Sequence, residues 1–420
     1  MKEMKRGLAW AVLLAVSIAS GCEPASPATP SRSVSWQGLS EAQAVYGIVR
    51  LAVKVNGNGV EEVRFYQDSP DGEHLIAVAA PENGPVYAAD WHTLETVNGD
   101  HVLYAVVTFH DGSSSQSPLA VKVGNRSRAD SIPASAIKMT PAKDKAPPHL
   151  APAFKDYWYD PVPLEGPVNT AGAEDSPFIT PDGNTLYFWF NGDEMKDVHE
   201  QVEDPMTGIY WSKRVDGRWQ EPQRLFLQYF DRIGFDGAET VRGNVLWFAS
   251  IREGNYRDID FWTAELVNGR WVRWANAGEL LNKVYQVSEL HVTADGNEIY
   301  FDSKRAGGKG EKDIWVTRNV NGAWQEPQNI EAVNTAGDEG WPFISEDGTE
   351  LWFTRATPGP AIFRSIKVDG KWQTPEMVVS ALAGEPTLDA AGNLYFAHHR
   401  WDDTLNRVTE ADIYVCRRRG

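Results

Sequence analysis

A repeat with a period of about fifty residues occupies the region 153–420 and constrains the fold more than any other feature of the sequence. Its marker is a tryptophan followed three positions later by proline, and this spacing begins at Trp158, Trp219, Trp324 and Trp372. Repeats of this length are typical of propellers and solenoids, in which each unit is one supersecondary element. The region therefore consists of one motif used several times.

The clearest copy runs from Asp338 to Val378. It reads as four short strands: two Asp-Gly turns separate runs of alternating apolar and polar residues, and the last strand carries Trp372. Four antiparallel strands make one propeller blade. The second strand recurs five times, as "TLYFWF", "VLWFAS", "EIYFDS", "ELWFTR" and "NLYFAH", so the sequence predicts five blades.

The fifth copy ends at "DIYVCRRRG" without a Trp-x-x-Pro strand, whereas the copy at Trp158 stands ahead of the first unit. We predict that the Trp158 strand completes the last blade. Closing the ring in this way removes free strand edges, and Pro161 is tolerated because an outermost strand needs no donor on its far side. The predicted fold is all-β, with a five-bladed β-propeller closed by an N-terminal strand.

The region from about 155 to 420 resembles the WD40-like (PD40), TolB-type β-propeller repeats of bacterial envelope proteins. The resemblance is carried by "SPFITPDGNTLYFWF", "VSELHVTADGNEIYFDSKRAGGKGEKDIWVTR", "WQEPQNIEAVNTAGDEGWPFISEDGTELWFTR" and "DIYVCR". It implies a propeller fold. Because the family is functionally mixed, it implies binding of a ligand or protein in the envelope more than a reaction.

The N-terminus has the pattern of an export signal: three basic residues precede the apolar run Leu8–Ile18, which is too short to span a membrane. The following "IASGC" resembles the lipobox of bacterial lipoproteins, which implies cleavage after residue 21 and acylation of Cys22. An ordinary secretory signal cut near Gly21 is the alternative. Residues 22–32 are rich in Pro, Ser and Ala and predict a tether. The expected location is the bacterial cell envelope, lipid-anchored to a membrane and facing the periplasm or the exterior.

Residues 33–125 predict a separate β-sandwich. Alternating apolar runs are joined by Asn/Gly and Asp-Gly turns, and Trp91 is available to fill the centre. This stretch resembles bacterial Ig-like modules, which implies a spacer. Residues 126–152 contain scattered prolines and no hydrophobic period, so they predict an interdomain linker.

The balance of 40 basic and 58 acidic residues gives a net charge of −18, which argues against nucleic acid as a partner. An envelope protein or a polysaccharide is the expected partner. Once Cys22 is acylated, Cys416 is the one cysteine left, so an intramolecular disulfide or a cysteine metal site is excluded.

A glutamate recurs at or near the first strand of every unit. First strands line the central channel of a propeller, so these carboxylates are candidates for ligand binding and for a calcium site, although a cofactor is not required. A structural role, bonding backbone amides between blades, is the alternative. The five residues are Glu174, Glu239, Glu289, Glu339 and Glu385.

The fifth unit breaks the repeat with "FAHHRWDD". His398, Arg400 and Trp401 are further ligand-binding candidates there, and His291 on the third unit can share the funnel. Adjacent histidines on a strand point to opposite faces, so His398 and His399 do not easily bind one metal ion. An ordinary surface loop is the alternative interpretation.

The sequence favours a non-catalytic, envelope-anchored lipoprotein whose propeller binds a protein or glycan partner. No nucleophile, P-loop, zinc or dinucleotide motif is present. The alternative is a carbohydrate-active enzyme, a glycoside hydrolase or sialidase-like protein, that uses two funnel acids such as Glu174 and Glu339. Such enzymes need two carboxylates at a separation that a sequence does not reveal.

Overall fold

The computed structural model describes residues 32–282, 287–356 and 359–420. The predicted signal peptide (1–21), Cys22 and all but the last residue of the predicted tether (22–32) lie outside these residues. Within the described chain, no helix is long and apolar enough to cross a bilayer.

Regular structure is almost entirely β-strand, which confirms the predicted all-β class. The described residues include two short α-helices, α1 (Val198–Glu203) and α2 (Glu279–Asn282). Single 3₁₀ turns occur at Gly72–His74, Thr93–Glu95, Arg128–Asp130, Pro141–Lys143 and Pro152–Phe154.

The chain forms two compact units. The first comprises the described residues up to Leu39 together with Leu51–Ala89 and Leu103–Leu119. The second comprises Ser40–Arg50, Asp90–Val102 and Ala120–Gly420, so it contains the whole repeat region.

The N-terminal strands form two sheets, with the orders β1-β3-β7-β6 and β2-β9-β8-β4-β5. Trp36 of one sheet and Phe65 of the other have ring centroids 5.4 Å apart, which shows that the two sheets face each other across an aromatic core. The strands are β1 (Ser33–Gln37), β2 (Gln43–Val45), β3 (Ile48–Asn56), β4 (Val60–Gln67), β5 (Leu75–Val78), β6 (Ala80–Pro81), β7 (Val86–His92), β8 (Gly99–Phe109) and β9 (Ser114–Val123).

The repeat region contains four sheets, and one of them joins the first and fifth blades through a parallel bridge between Ala173 and Ala411. Its strands therefore divide into five antiparallel groups, one for each predicted blade. Its strands are β10 (His149–Leu150), β11 (Val162–Pro163), β12 (Ala173–Ile179), β13 (Thr185–Asn191), β14 (Gly208–Val215), β15 (Arg218–Trp219), β16 (Gln223–Arg224), β17 (Gly234–Arg242), β18 (Val245–Arg252), β19 (Asp260–Val267), β20 (Arg270–Asn276), β21 (Val287–Val292), β22 (Glu298–Ser303), β23 (Asp313–Val320), β24 (Ala323–Trp324), β25 (Gln328–Asn329), β26 (Glu339–Ile344), β27 (Glu350–Arg355), β28 (Ala361–Val368), β29 (Lys371–Trp372), β30 (Glu376–Ser380), β31 (Ala383–Leu388), β32 (Leu394–Asp402) and β33 (Arg407–Cys416).

The first strands of the five blades are β12, β17, β21, β26 and β31. Each contacts the first strand of the next blade, and β31 contacts β12, so the inner strands form a closed ring. This arrangement confirms the predicted five-bladed propeller and places the inner strands around its axis.

The hairpins of the first, third and fourth blades share one turn chemistry. Asp182 Oδ1 accepts a hydrogen bond from the backbone N–H of Asn184 at 3.0 Å, and Asp347 Oδ1 accepts one from Thr349 at 3.0 Å. The glycine that follows each aspartate has a positive φ, 71° at Gly183, which a Cβ atom would disfavour. The Asp-Gly pairs of the repeat therefore fix the turn between the first and second strands.

The closing strand lies where the sequence predicts it. In β11, Val162 pairs with Val415 and Pro163 with Tyr414, both on β33, and Trp158 forms a bridge to Arg418. Trp158 is 3% exposed, and its Nε1–H donates to the carbonyl of Gly392 at 2.8 Å. Residues from both ends of the repeat region thus build the last blade, which confirms the predicted closure.

The segment between the sandwich and the first blade has more structure than its composition indicates. Its strand β10 pairs with β30 at the edge of the fourth blade. Arg128 and Leu150 are both buried. Polar and charged side chains from this segment hold it against the propeller, as described below.

Candidate functional site

The inner strand of every blade contains a β-bulge at the same register. The pairing with the second strand skips two residues in each case: Ser176 and Pro177, Ala238 and Glu239, Ser288 and Glu289, Trp341 and Pro342, and Glu385 and Pro386. Bulges redirect side chains out of the regular alternation and occur often beside functional sites. Here at least one residue of every bulge borders a common cavity.

Two of these bulges hold large side chains in an unusual backbone conformation. Trp341 has φ 52° and Glu385 has φ 60°, a region that residues with a Cβ atom rarely occupy. Such positions cost about 1–3 kcal/mol and persist where the surrounding structure enforces them. The bulges are therefore a fixed part of the ring.

A small cavity lies where the bulges converge. It has a volume of about 30 Å³ and is bounded by Ser176, Glu239, Glu289, His291, Trp341 and Glu385, with neighbouring apolar groups. A cavity of this size holds a water molecule or an ion, because about 10–15 Å³ suffices for one water. A sugar ring does not fit in it.

Three of the five predicted glutamates border this cavity, and burial raises the pKa of each. Glu239 is 4% exposed, and neither of its carboxylate oxygens has a hydrogen-bond partner among the described residues. Burial raises the pKa of Glu239 well above its ordinary value. Burial does the same for Glu289 and Glu385, and the nearby carboxylates Asp302 and Asp175, respectively, raise these two pKa values further.

Ser176 connects two of these carboxylates. Its backbone N–H donates to Glu385 Oε2 at 2.5 Å, and its hydroxyl donates to Glu289 Oε1 at 3.3 Å. Glutamates from the third and fifth blades therefore meet at a bulge of the first blade.

Asp175, Glu385 and His399 form a cluster beside the cavity. Each offers one ligand atom, and these three atoms lie within 4.8 Å of one another. His399 Nε2 lies 3.2 Å from Asp175 Oδ2. Burial acts to raise the pKa of Asp175, but the positive charge and hydrogen bond of His399 outweigh it and hold that pKa below its usual range, while Asp175 raises the pKa of His399. Two carboxylates and an imidazole are a plausible set of metal ligands by donor type.

Glu174 and Glu339 do not reach the cavity. Both are fully buried, and each accepts hydrogen bonds from the backbone and hydroxyl of the threonine four residues earlier, Thr170 or Thr335. They lie ahead of the bulges, in the regular part of the strand. The expected ring of five acids is therefore a group of three. Glu174 and Glu339 instead bond backbone amides, as the alternative structural role predicts.

His291 borders the cavity from the third blade but faces cationic and backbone groups. Its Nδ1 accepts a hydrogen bond from the backbone N–H of Ile344 at 3.2 Å, and its Nε2 lies 3.2 Å from Arg242 Nη2. Burial, with the positive charge of Arg242, holds the pKa of His291 well below its ordinary value. These contacts suit a neutral imidazole that packs against Phe343.

His398 and Arg400 lie on the opposite side of β32 from His399. His398 Nε2 and Arg400 Nη1 each lie 2.8 Å from Asp144 Oδ2, in the segment predicted as a linker. Arg400 also donates to Asp412 at 2.8 Å. These contacts hold the segment that contains Asp144 against the last blade. The third candidate in this stretch, Trp401, is 45% exposed on the outer part of the strand.

A larger groove lies within the second compact unit. It has a volume of about 960 Å³ and is bordered by Tyr187, Trp211 and Trp271 of the first two blades and by Leu94. Most of its exposed bordering side chains are polar, including Lys213 and Glu221. The volume is within the range of small-molecule and oligomeric ligand sites.

Two residues of the central cluster were not among the predicted site residues. Asp175 follows Glu174, which was predicted as one of the repeated acids, and His399 follows the predicted His398. In both cases the inward-facing residue is the next one along the chain. The strand alternation that separates the two histidines was visible, but which one faces inward depends on the register of β32.

No protein-family model matches the chain, and no curated protein matches it. Solved structures resemble it at low identity. An endo-β-1,4-mannanase from Thermotoga petrophila is 16% identical over 23% of this chain and 20% of its own, with a TM-score of 0.20, so the match spans about a fifth of that protein. An endo-arabinase from Bacteroides thetaiotaomicron is 16% identical over 59% of this chain and 95% of its own, with a TM-score of 0.40. A putative TolB from Agrobacterium tumefaciens is 14% identical over 60% of this chain and 92% of its own, with a TM-score of 0.31. With TM-scores below 0.5, these likenesses carry no argument about function, and the propeller assignment rests on the strand pairing of the chain.

Proposed function

We propose that the protein is a non-catalytic glycan-binding module that is anchored to the bacterial cell envelope through Cys22. The observation that carries the proposal is the size of the central cavity. Its volume of about 30 Å³ leaves no room for a sugar ring at the buried acids. A bound sugar ring therefore needs another surface of the propeller.

The groove beside the first two blades is the proposed binding surface. Trp211 is partly exposed there, with Lys213 Nζ 5.5 Å from its ring centroid. The C–H groups of a sugar pack well on a ring face, and hydroxyl groups pair with a polar border. A protein partner would favour a larger exposed apolar surface. Among the described residues that border the groove, Leu94 alone is a large apolar side chain with strong exposure.

The test is calorimetric titration of the full chain with a panel of bacterial and plant polysaccharides. We expect Trp211→Ala to weaken binding about tenfold or more, as loss of one aromatic anchor does. Trp401→Ala is the matched control because Trp401 is also partly exposed but lies outside the groove, and we expect it to bind as the unchanged chain does. Loss of binding in Trp401→Ala alone would move the site to the fifth blade. Absence of binding to any glycan, with a protein captured from envelope extracts in a Trp211-dependent manner, would replace the glycan by a protein partner.

A glycoside hydrolase is the second candidate function, and it requires the central cavity to open, because a sugar ring has no room at the buried acids as they stand. Asp175 and Glu385 are neighbouring carboxylates whose pKa values are displaced in opposite directions, the pattern expected of an acid and a base. Glu174 and Glu339 have no exposed surface, so an enzyme would use the first pair. Mass spectrometry of soluble products from the same polysaccharides tests this reading. Products that disappear in Glu385→Gln would establish catalysis, and products from neither chain would count against it.

The envelope anchor has its own test. Metabolic labelling with a fatty-acid analogue is expected to mark the unchanged chain and not the Cys22→Ser variant, and membrane fractionation is expected to release the variant. Equal release of both chains would favour an ordinary secretory signal. This result would leave the glycan proposal unaffected.

A further inference from the structure

Carboxyl groups outnumber cationic side chains around the central cavity. Glu239, Glu289 and Glu385 border it, and Asp175 lies beside Glu385. His399 contacts this group directly. Two cationic side chains also lie at the cavity wall: Lys312 Nζ is 3.5 Å from Asp302 and 4.2 Å from the ring centroid of Trp341, and Arg242 Nη2 is 3.2 Å from His291 Nε2. Buried carboxylates without cationic partners either take up protons or bind a cation.

The cluster of Asp175, Glu385 and His399 has dimensions that suit one metal ion. Its ligand atoms lie within 4.8 Å of one another, which is about twice a metal–ligand bond length. Asp175 and His399 are 3.2 Å apart. Neighbouring ligands at 2.1 Å from a tetrahedral ion are about 3.4 Å apart, so this pair needs little rearrangement.

Glu239 provides an independent indication. It is more than nine-tenths buried, both of its oxygens lack a hydrogen-bond partner among the described residues, and it borders the same cavity as Glu385. Leaving a buried polar group unpaired costs about 1–3 kcal/mol, and more for a charged group. A bound cation, with water in the 30 Å³ cavity, would supply the missing partner.

We propose that Asp175, Glu385 and His399 bind one divalent metal ion of the zinc or manganese class, with Glu239 facing the ion across the cavity. The imidazole selects this class over calcium, which takes oxygen ligands. The ion links strands of the first and fifth blades, because Asp175 belongs to β12 and the other two ligands to β31 and β32. The site is independent of the glycan groove.

The test uses the full chain, free of histidine tags and in a Cys22→Ser background, because an exposed thiol would bind zinc on its own. After treatment with a chelator and removal of the chelator, the chain is titrated with ZnCl₂, MnCl₂ and CaCl₂ by calorimetry. We expect one zinc or manganese ion per chain, and binding about tenfold or more weaker in Asp175→Asn and in His399→Gln. His398→Gln is the matched control because His398 is the neighbouring histidine on the opposite face, and its metal affinity is expected to stay within about twofold of the unchanged chain.

Pulsed electron paramagnetic resonance of the manganese-loaded chain detects the ligand atoms directly. We expect coupling to an imidazole nitrogen, and that coupling is expected to vanish in His399→Gln. Binding of calcium alone, or manganese without nitrogen coupling, would overturn His399 as a ligand. No heat with any of the three ions would overturn the site altogether.

Discussion

Asp144 Oδ2 accepts a hydrogen bond from His398 Nε2 at 2.8 Å, across 254 residues of sequence. The same oxygen lies 2.8 Å from Arg400 Nη1. All three side chains are at most 8% exposed. One aspartate in the segment before the propeller thus pairs with two buried groups of the last blade.

Replacement of Asp144 by alanine is expected to lower the free energy of unfolding by about 3–5 kcal/mol, because it leaves the buried Arg400 charge with fewer partners. Urea denaturation measures the change. Asp403→Ala is the control, since Asp403 is exposed, and it is expected to change stability by less than about 0.5 kcal/mol. A cost below about 1 kcal/mol in Asp144→Ala would show that the segment is not held by this contact.

Replacement of Trp158 by alanine is expected to cost about 3–5 kcal/mol, the range for truncation of a buried aromatic side chain. Trp158 packs edge-on against Trp352, with centroids 5.8 Å apart, and it helps to close the ring. Trp372→Ala removes the corresponding residue of the fourth blade, which is only partly buried, and is expected to cost less. Equal thermal stabilities of the two variants would contradict a special role for the closing strand.

We expect the raised pKa of Glu174 to make the stability of the protein depend on pH. Burial raises its pKa to about 7, from 4.5. The folded chain therefore holds a proton between these values that the unfolded chain releases, so this contribution is complete below pH 4.5 and is lost as the pH rises toward 7. The slope is at most about 1.4 kcal/mol per pH unit. Urea denaturation from pH 5 to pH 8 is expected to show a steeper decline in the unchanged chain than in Glu174→Gln, which keeps the contributions of Glu239, Glu289 and Glu385. Parallel curves for the two chains would contradict it.

Cys416 is expected to be unreactive in the folded protein. The side chain is fully buried, and burial raises the pKa of the thiol. Because the thiolate is the reactive form, alkylation by iodoacetamide in a Cys22→Ser background should be about 100-fold or more slower in native buffer than in denaturant. Mass spectrometry over time measures both rates. Comparable rates would mean that the last strand opens readily.

The fold was predictable because its information is local and repeated. The hairpins of the first, third and fourth blades carry their own Asp-Gly turns, every second strand alternates, and the missing Trp-x-x-Pro strand at the end indicated that the Trp158 strand closes the ring. The central cluster was less accessible. Whether Glu174 or Asp175 faces inward depends on where regular alternation stops and the bulge at Ser176 begins, and a bulge leaves no clear signal in a sequence.

The docking of the segment at 126–152 was hidden for another reason. Its low apolar content is typical of a linker. The segment is nevertheless attached to the propeller by ion pairs such as that of Asp144 with Arg400. Charged residues look alike in a solvated segment and in a docked one, because the partner lies far away in sequence. A hydrophobic pattern cannot report that difference.

The pairing of Val162 with Val415 also sets an order of events during synthesis. The ribosome makes one partner about 250 residues before the other, so the outer strand of the last blade, Val162–Pro163, has no strand to pair with until residues 414–415 emerge. Four blades can form progressively, while the early strand waits without its partner. A chain interrupted before Tyr414 would expose two unpaired edges at once, and these are the features that chaperones and proteases recognise as unfinished protein.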